Sequence, residues 1–226
     1  MMMMLSPPLR VAFFWCVQFY VLCEYVFKPT EWGNEVDRMG TPKWRDAVVL
    51  PSQLFVFPTL LLYSLLSNEN SFRDAWKGKT SRQFGLGLYQ KTYAYIFALF
   101  ALSDFVIYPE LKTVLKVHHF VVFAGNLLSM SIWKDGFPLY FAGAVALEIG
   151  SASVNFAMIF PESHMMRVVY AIVMTLSNIV AGLFTCRWCT IKTIPRIARG
   201  AWFVIVLALL ALRERAMVNG LFYSKW

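Results

Sequence analysis

Charged residues are scarce in this chain. They make up 15% of 226 residues, whereas soluble globular domains carry about 25%. Hydrophobic residues account for 58%, and the mean hydropathy is +0.55. These values exclude an ordinary soluble domain. The length suits about seven apolar segments of roughly 20 residues, the span of a bilayer core.

The residues that usually hold metals are also few. Three histidines are too few for the several histidine boxes of a di-iron desaturase, and no His-Glu-x-x-His motif is present. Cys186 and Cys189 have the spacing of a metal-binding pair, but structural zinc takes four N or S ligands and no second such pair exists. No glycine-rich phosphate loop occurs. The sequence therefore predicts no metal and no resident cofactor.

Acidic residues are outnumbered, with 13 Asp and Glu against 21 Lys and Arg. The basic residues lie mainly in the loops between apolar runs, where the positive-inside bias and anionic headgroups account for them. No basic arm with interleaved aromatics is present, so a nucleic-acid partner is excluded. Membrane lipids are the expected partners, with a homo-oligomer or other membrane proteins as further possibilities.

Apolar runs predict an all-α, multi-pass transmembrane bundle of six or seven spans, forming one domain over residues 1–226. Sustained alternation of apolar and polar residues, which a membrane β-barrel requires, is absent. We expect spans near 11–27, 47–67, 88–108, 114–133, 137–160, 166–186 and 201–212.

The pair His118-His119 is the sharpest candidate site. Both residues open the fourth predicted span, and His119 shares a helical stripe with Asn126 seven residues later. Imidazole suits acid–base or nucleophilic chemistry near neutral pH. The alternative is that the imidazoles cap the helix or lie at headgroup level.

Two acidic side chains within predicted spans are further candidates, because such groups are costly in a bilayer and tend to be functional. Glu148, Ser151 and Asn155 lie on one face of the fifth span, at i, i+3 and i+7. They predict a binding surface or, alternatively, a packing seam between helices. Asp104 ends the third span, where it would orient an imidazole across the following turn or lie in water at the interface.

The order of these residues resembles the TLC domain of translocating-chain-associating, longevity-assurance (ceramide synthase) and ceroid-lipofuscinosis neuronal proteins. Ser103-Asp104 closes one span, His118-His119 opens the next, and Glu148, Ser151 and Asn155 follow in the third, within a best-matched stretch of 88–186. The resemblance implies a helical bundle around a lipid-accessible cavity, in the endoplasmic reticulum or another endomembrane.

The resemblance also implies roles for the candidate residues. In the ceramide synthase branch the matching histidines are required for N-acyl transfer from acyl-CoA, the co-substrate, to a sphingoid base. Here the segment 146–151 lacks the His-Asp and further acids of that branch and is more similar to the small TLC-domain proteins. The first expectation is therefore lipid binding or sensing in lipid homeostasis, with Glu148, Ser151, Asn155 and Asn126 contacting the lipid.

Two other functions follow from the same residues. The second expectation is an acyltransferase in which His118 and His119 act on the substrates and Asp104 orients them. The third is a transporter whose pathway follows Glu148, Asn155 and Asn126.

Overall fold

The computed structural model describes residues 6–36, 41–69, 72–78, 85–107 and 113–222. The side chain of Asp104 lies outside this described part. The elements that position the candidate residues are ten α-helices: α1 Pro7–Val21, α2 Glu31–Asn34, α3 Lys43–Pro51, α4 Phe57–Leu66, α5 Phe72–Trp76, α6 Leu88–Ile107, α7 Thr113–Ser131, α8 Phe137–Ile159, α9 His164–Trp188 and α10 Arg196–Phe222. Helix α1 continues as a π-helical turn, Leu22–Phe27, and a second π-helical turn, Ser52–Val56, joins α3 to α4. No strand occurs within the described ranges, where Val36 and Pro42 form an isolated bridge.

Each predicted span corresponds to a long helix or to helical segments joined by a π-helical turn, but four limits differ by four residues or more. The first, second and last helices begin earlier than predicted, at Pro7, Lys43 and Arg196, and the last also ends later. The first helix begins at Pro7 rather than at 11, since proline is favoured in the first turn, where its missing N–H costs nothing. The last helix does not end at 212 but continues to Phe222. Its charged residues Arg213 and Glu214 have hydrogen-bond partners on other helices, so they belong to the bundle and not to a loop.

Four of these segments are long and apolar enough to cross a membrane: Pro7–Phe27, Lys43–Leu66, Lys134–Ile159 and His164–Trp188. Their lengths of 21 to 26 residues fit a hydrocarbon core of about 30 Å at 1.5 Å per residue. The described part of the chain is thus all-helical, with four candidate membrane spans.

The aromatic core lies where α4, α6 and α8 meet. Phe57 of α4 contacts Tyr93 and Phe97 edge-on, with ring centroids 5.5 Å apart in each pair. Tyr93 also stacks on Phe141 of α8 at 3.9 Å. Helix α8 is therefore held on one side by a rigid aromatic layer, and its opposite side is free to pack on α9.

Small residues let α8 and α9 approach closely. A Cβ atom on Gly150 would overlap the hydroxyl of Ser177 in α9, and one on Gly143 would lie 3.4 Å from the Cβ of Phe184. Such contacts are the usual way in which helices associate in a bilayer. The close approach places the middle of α8 directly against the middle of α9, where the polar residues of both helices meet.

Candidate functional site

A π-helical turn directs the side chains of Ser52 and Gln53 into the bundle. Pro51 lacks the N–H of a regular helix, and the π-helical turn Ser52–Val56 follows it directly. Ser52 and Gln53 are both buried. The indole N–H of Trp15 in α1 donates to the Ser52 hydroxyl at 3.1 Å. Single π-helical turns often occur at functional sites, and this one leaves the Gln53 carboxamide pointing at α8.

Gln53 joins two polar residues of α8. Its amide nitrogen donates to Oε2 of Glu148 at 2.9 Å. Its carbonyl oxygen accepts from the side-chain amide of Asn155, also at 2.9 Å. Glu148 and Asn155 lie seven residues apart on α8, about 10 Å along the axis, so the single carboxamide bridges two turns of the helix.

Arg213 of α10 brings a cation to the same region. Its Nε donates to the Asn178 side-chain oxygen at 2.9 Å. Its two terminal nitrogens donate to the Ser151 hydroxyl and to the Leu147 carbonyl, each at 3.0 Å. One guanidinium thus fastens α10 to both α8 and α9.

A second carboxylate completes the arrangement. Glu214 accepts a hydrogen bond from the Asn178 amide at 2.8 Å, and a longer one of 3.5 Å from Thr175. Glu148 and Glu214 both interact electrostatically with the Arg213 guanidinium. We call this set the polar centre: Gln53, Glu148, Ser151, Asn155, Thr175, Asn178, Arg213 and Glu214.

The polar centre is only partly covered by protein. Gln53 and Asn178 are each 4% exposed. The ionisable members Glu148, Arg213 and Glu214 are half-buried. The centre combines amide and guanidinium donors with carboxylate acceptors, so chemically it can hold the polar group of an amphipathic molecule that enters from the side.

The two histidines lie elsewhere on the bundle, on α7. Both are half-buried, and their rings meet edge-on with centroids 5.4 Å apart. His119 also contacts Phe105 of α6, with centroids 6.3 Å apart. Residue 104 precedes Phe105 on the same helix, so the contact between α6 and α7 places this backbone position close to the histidines. The Asp104 side chain itself lies outside the described part.

Asn126 has a different surrounding from the other predicted lipid-contacting residues. It is fully buried, and its amide donates to the Ala94 carbonyl of α6 at 2.7 Å. Asn126 therefore fastens α7 to α6, while Glu148, Ser151 and Asn155 lie together in the polar centre. The three predicted residues of α8 have two different partners: Glu148 and Asn155 bond to Gln53, whereas Ser151 bonds to Arg213.

Sequence reasoning missed five members of the polar centre: Gln53, Thr175, Asn178, Arg213 and Glu214. Gln53 stands as a polar residue between two prolines of one apolar run, a signal that could have marked it. Arg213 and Glu214 follow an apolar run directly and were assigned to the segment after it. Asn178 is an isolated amide in the sixth predicted span, which gives no stronger signal than any other buried amide.

Among the described residues, no three His, Cys, Asp or Glu side chains lie close enough together to hold a metal ion. Cys186 and Cys189 are free thiols, and the Cys189 thiol lies 3.5 Å from the Arg199 carbonyl oxygen.

Comparison of the chain with protein-family models, with curated proteins and with solved structures gave no match.

Proposed function

We propose that this protein binds a membrane lipid laterally in its helical bundle, with the lipid's polar group held by the polar centre, and that it acts in lipid homeostasis. The observation that carries the proposal is the hydrogen-bonded trio Gln53, Glu148 and Asn155 beside the Arg213 guanidinium, which donates to Ser151. Glu148 and Arg213 are both half-buried. Ionisable groups within apolar helices are expensive and generally mark a ligand or an ion pathway.

The position of the polar centre along the helices supports lateral entry. Glu148 is residue 12 of the 23 in α8, and Asn178 is residue 15 of the 25 in α9. Both therefore lie near the middle of candidate membrane spans. Half-buried polar atoms at that depth would face hydrocarbon, and an amphipathic ligand that supplies hydrogen bonds removes that cost.

The proposal extends to the number of spans. The three further long helices Leu88–Ile107, Thr113–Ser131 and Arg196–Phe222 would also cross the bilayer, which makes seven. Each has 19 to 27 residues, enough for a hydrocarbon core of about 30 Å. Labelling of single cysteines placed at 30, 113 and 222 tests this. Seven spans put all three positions on one side of the membrane, whereas the four candidate spans alone leave 113 and 222 on the side opposite 30.

Membership of the TLC family and residence in an endomembrane remain part of the same proposal. They rest on the order of Ser103-Asp104, His118-His119 and Glu148 on three successive helices. Fluorescence microscopy of the tagged full chain beside an endoplasmic reticulum marker tests the location. Exclusive plasma-membrane signal would contradict it.

The decisive experiment compares two buried glutamines. Gln53→Leu removes a carboxamide from the polar centre. Gln90→Leu removes one from α6, where Gln90 donates to the Ser64 hydroxyl and the Glu69 carbonyl. Lipids that co-purify with each variant in nanodiscs are measured by mass spectrometry. We expect Gln53→Leu to lose a specific lipid that wild type and Gln90→Leu retain. Equal lipid profiles in all three proteins would refute the proposal.

A second function is favoured by the contact between the two imidazoles on α7. In an N-acyltransferase, one imidazole would take the proton of a sphingoid-base amine as the nitrogen attacks the thioester carbon of acyl-CoA. The C–S bond then breaks, and the departing thiolate takes up a proton to leave CoA and the amide. Expression of wild type and His118→Ala/His119→Ala in a host without ceramide synthase tests this. Ceramide formed by wild type alone, at equal protein levels, would support transfer, and its absence in both would leave lipid binding.

A further inference from the structure

A cleft separates the beginnings of α1 and α6, away from the polar centre. It has a volume of about 430 Å³ and is lined by Ser6, Pro7, Pro8, Leu88, Lys91 and Tyr95. Ligand pockets typically measure about 300–1,000 Å³, so a phospholipid headgroup fits. Both helices begin at this cleft and then run side by side, with Trp15 of α1 near Phe100 of α6.

Lys91 is the charged residue of the cleft lining. Its side chain is exposed. Among the residues that the structure describes, its ammonium group has no hydrogen-bond or ion-pair partner. Glu69 is the nearby carboxylate, and it accepts from the backbone N–H groups of Tyr89 and Gln90 at 3.0 to 3.3 Å. The Glu69 carboxylate thus caps the beginning of α6 and does not neutralise Lys91, so the cleft carries a net positive charge.

The surrounding end of the bundle is basic as well. Trp76 of α5 stacks against the guanidinium of Arg187, 5.8 Å from the ring centroid, which places the end of α9 beside the segment that precedes α6. Exposed cations at this same end include Arg73, Lys77 and Lys192. Clustered basic residues next to membrane helices attract anionic lipid.

An apolar track leads from the cleft along α6. Leu88, Lys91, Tyr95, Leu99 and Leu102 follow one helical stripe, and Leu102 is 38% exposed. Lys91 and Leu102 are eleven residues apart, about 16 Å along the helix. This matches half of a hydrocarbon core of about 30 Å. On α1, Val11 and Phe14 continue the stripe that begins at Pro7 and are 51% and 55% exposed.

We infer that this cleft is a binding site for an anionic phospholipid of the adjacent leaflet. The phosphate group meets Lys91 in the cleft, and the acyl chains lie along the exposed stripes of α1 and α6. This site is separate from the polar centre, but it rests on the proposal that α6 crosses the bilayer. The cysteine labelling described above tests that crossing, and the lipid measurement below tests the site itself.

The test uses the full chain in vesicles of phosphatidylcholine that contain a minor fraction of phosphatidylserine. Native mass spectrometry of the released protein measures how much phosphatidylserine stays bound relative to phosphatidylcholine. Lys91→Gln is compared with Lys192→Gln, which removes one exposed lysine from the same end outside the cleft. Lys91→Arg keeps the positive charge.

We expect Lys91→Gln to lower the preference for phosphatidylserine about fivefold, the effect of one lysine near an anionic surface. Lys192→Gln should change it less than about twofold, and Lys91→Arg should retain most of it. Equal losses in Lys91→Gln and Lys192→Gln would overturn the site in favour of a diffuse basic surface. No change in Lys91→Gln would overturn it outright, as would full displacement of phosphatidylserine by inorganic phosphate, since the acyl chains would then contribute nothing.

Discussion

Arg213→Leu is the substitution that disturbs the polar centre most. The guanidinium donates three hydrogen bonds, to Asn178, Ser151 and the Leu147 carbonyl. Hydrogen bonds between membrane helices contribute about 0.6 kcal/mol each on average, so the three together contribute about 2 kcal/mol. The substitution also leaves the Glu148 and Glu214 carboxylates without the cation with which both interact electrostatically.

Removal of one partner of a buried charge pair typically costs about 3–5 kcal/mol. Because Arg213 and Glu214 are half-buried, we expect a value near the lower end, about 3 kcal/mol. The double variant Arg213→Leu/Glu214→Leu should recover part of this loss, with a coupling free energy of about 1–2 kcal/mol. Arg215→Leu is the matched control, because Arg215 is exposed on the same helix, and surface substitutions change stability by about 0.5 kcal/mol or less.

Reversible unfolding of the full chain in mixed micelles, followed by tryptophan fluorescence during a titration with dodecyl sulfate, measures the four free energies. The reasoning fails if Arg213→Leu is as stable as Arg215→Leu. It also fails if the two losses in the double variant simply add, since Arg213 and Glu214 would then be energetically independent.

Three further predictions concern packing and reactivity. Gly150→Val should lower the free energy of unfolding by about 1–3 kcal/mol, the usual cost of overpacking, because the added side chain overlaps Ser177. Gly143→Ala should be tolerated, since its added methyl group lies at ordinary contact distance from Phe184. Equal melting temperatures for the two variants would contradict this prediction. Asn126→Leu should change the free energy of unfolding by less than about 1 kcal/mol. The substitution loses the hydrogen bond to the Ala94 carbonyl, but it also removes a side-chain oxygen that is buried without a partner within the described residues, and the two effects offset each other. A loss above about 2 kcal/mol in the same titration would contradict this prediction. Burial raises the pKa of the Cys189 thiol, so maleimide should label Cys189 more slowly at neutral pH than it labels an unfolded control, and the rate should increase with pH. Equal rates for the folded and unfolded protein at neutral pH would contradict this prediction.

Apolar runs predicted the helices well because a bilayer-length helix must satisfy all its backbone groups internally. That constraint acts on each segment alone, so it can be recognised locally. The exception is instructive: the last helix runs to Phe222, beyond the end of its apolar run. Arg213 and Glu214 look like loop residues until their partners on α9 are known.

The candidate site was only partly predictable for the opposite reason. Glu148, Ser151 and Asn155 share a face of one helix, which helical spacing shows directly. Gln53 lies 95 residues from Glu148 along the chain, and its direction depends on a π-helical turn. Neither the packing of α3 and α4 against α8 nor that turn follows from the spacing of apolar residues.

Two interpretations of the polar centre can be separated by their effect on stability. If Gln53, Glu148 and Asn155 only hold helices together, replacing all three with leucine must destabilise the ligand-free protein, since it removes two hydrogen bonds between helices. If the trio serves to bind a lipid, the same triple replacement can be neutral or even stabilising for the empty protein, as it often is when every partner of a buried polar set is replaced. The difference then appears only with ligand, because a lipid at 100 times its Kd stabilises the folded state by about 2.7 kcal/mol. If the trio of Gln53, Glu148 and Asn155 contributes little to the stability of the empty bundle but the protein gains this increment on binding, the trio is retained for its ligand and not for its fold.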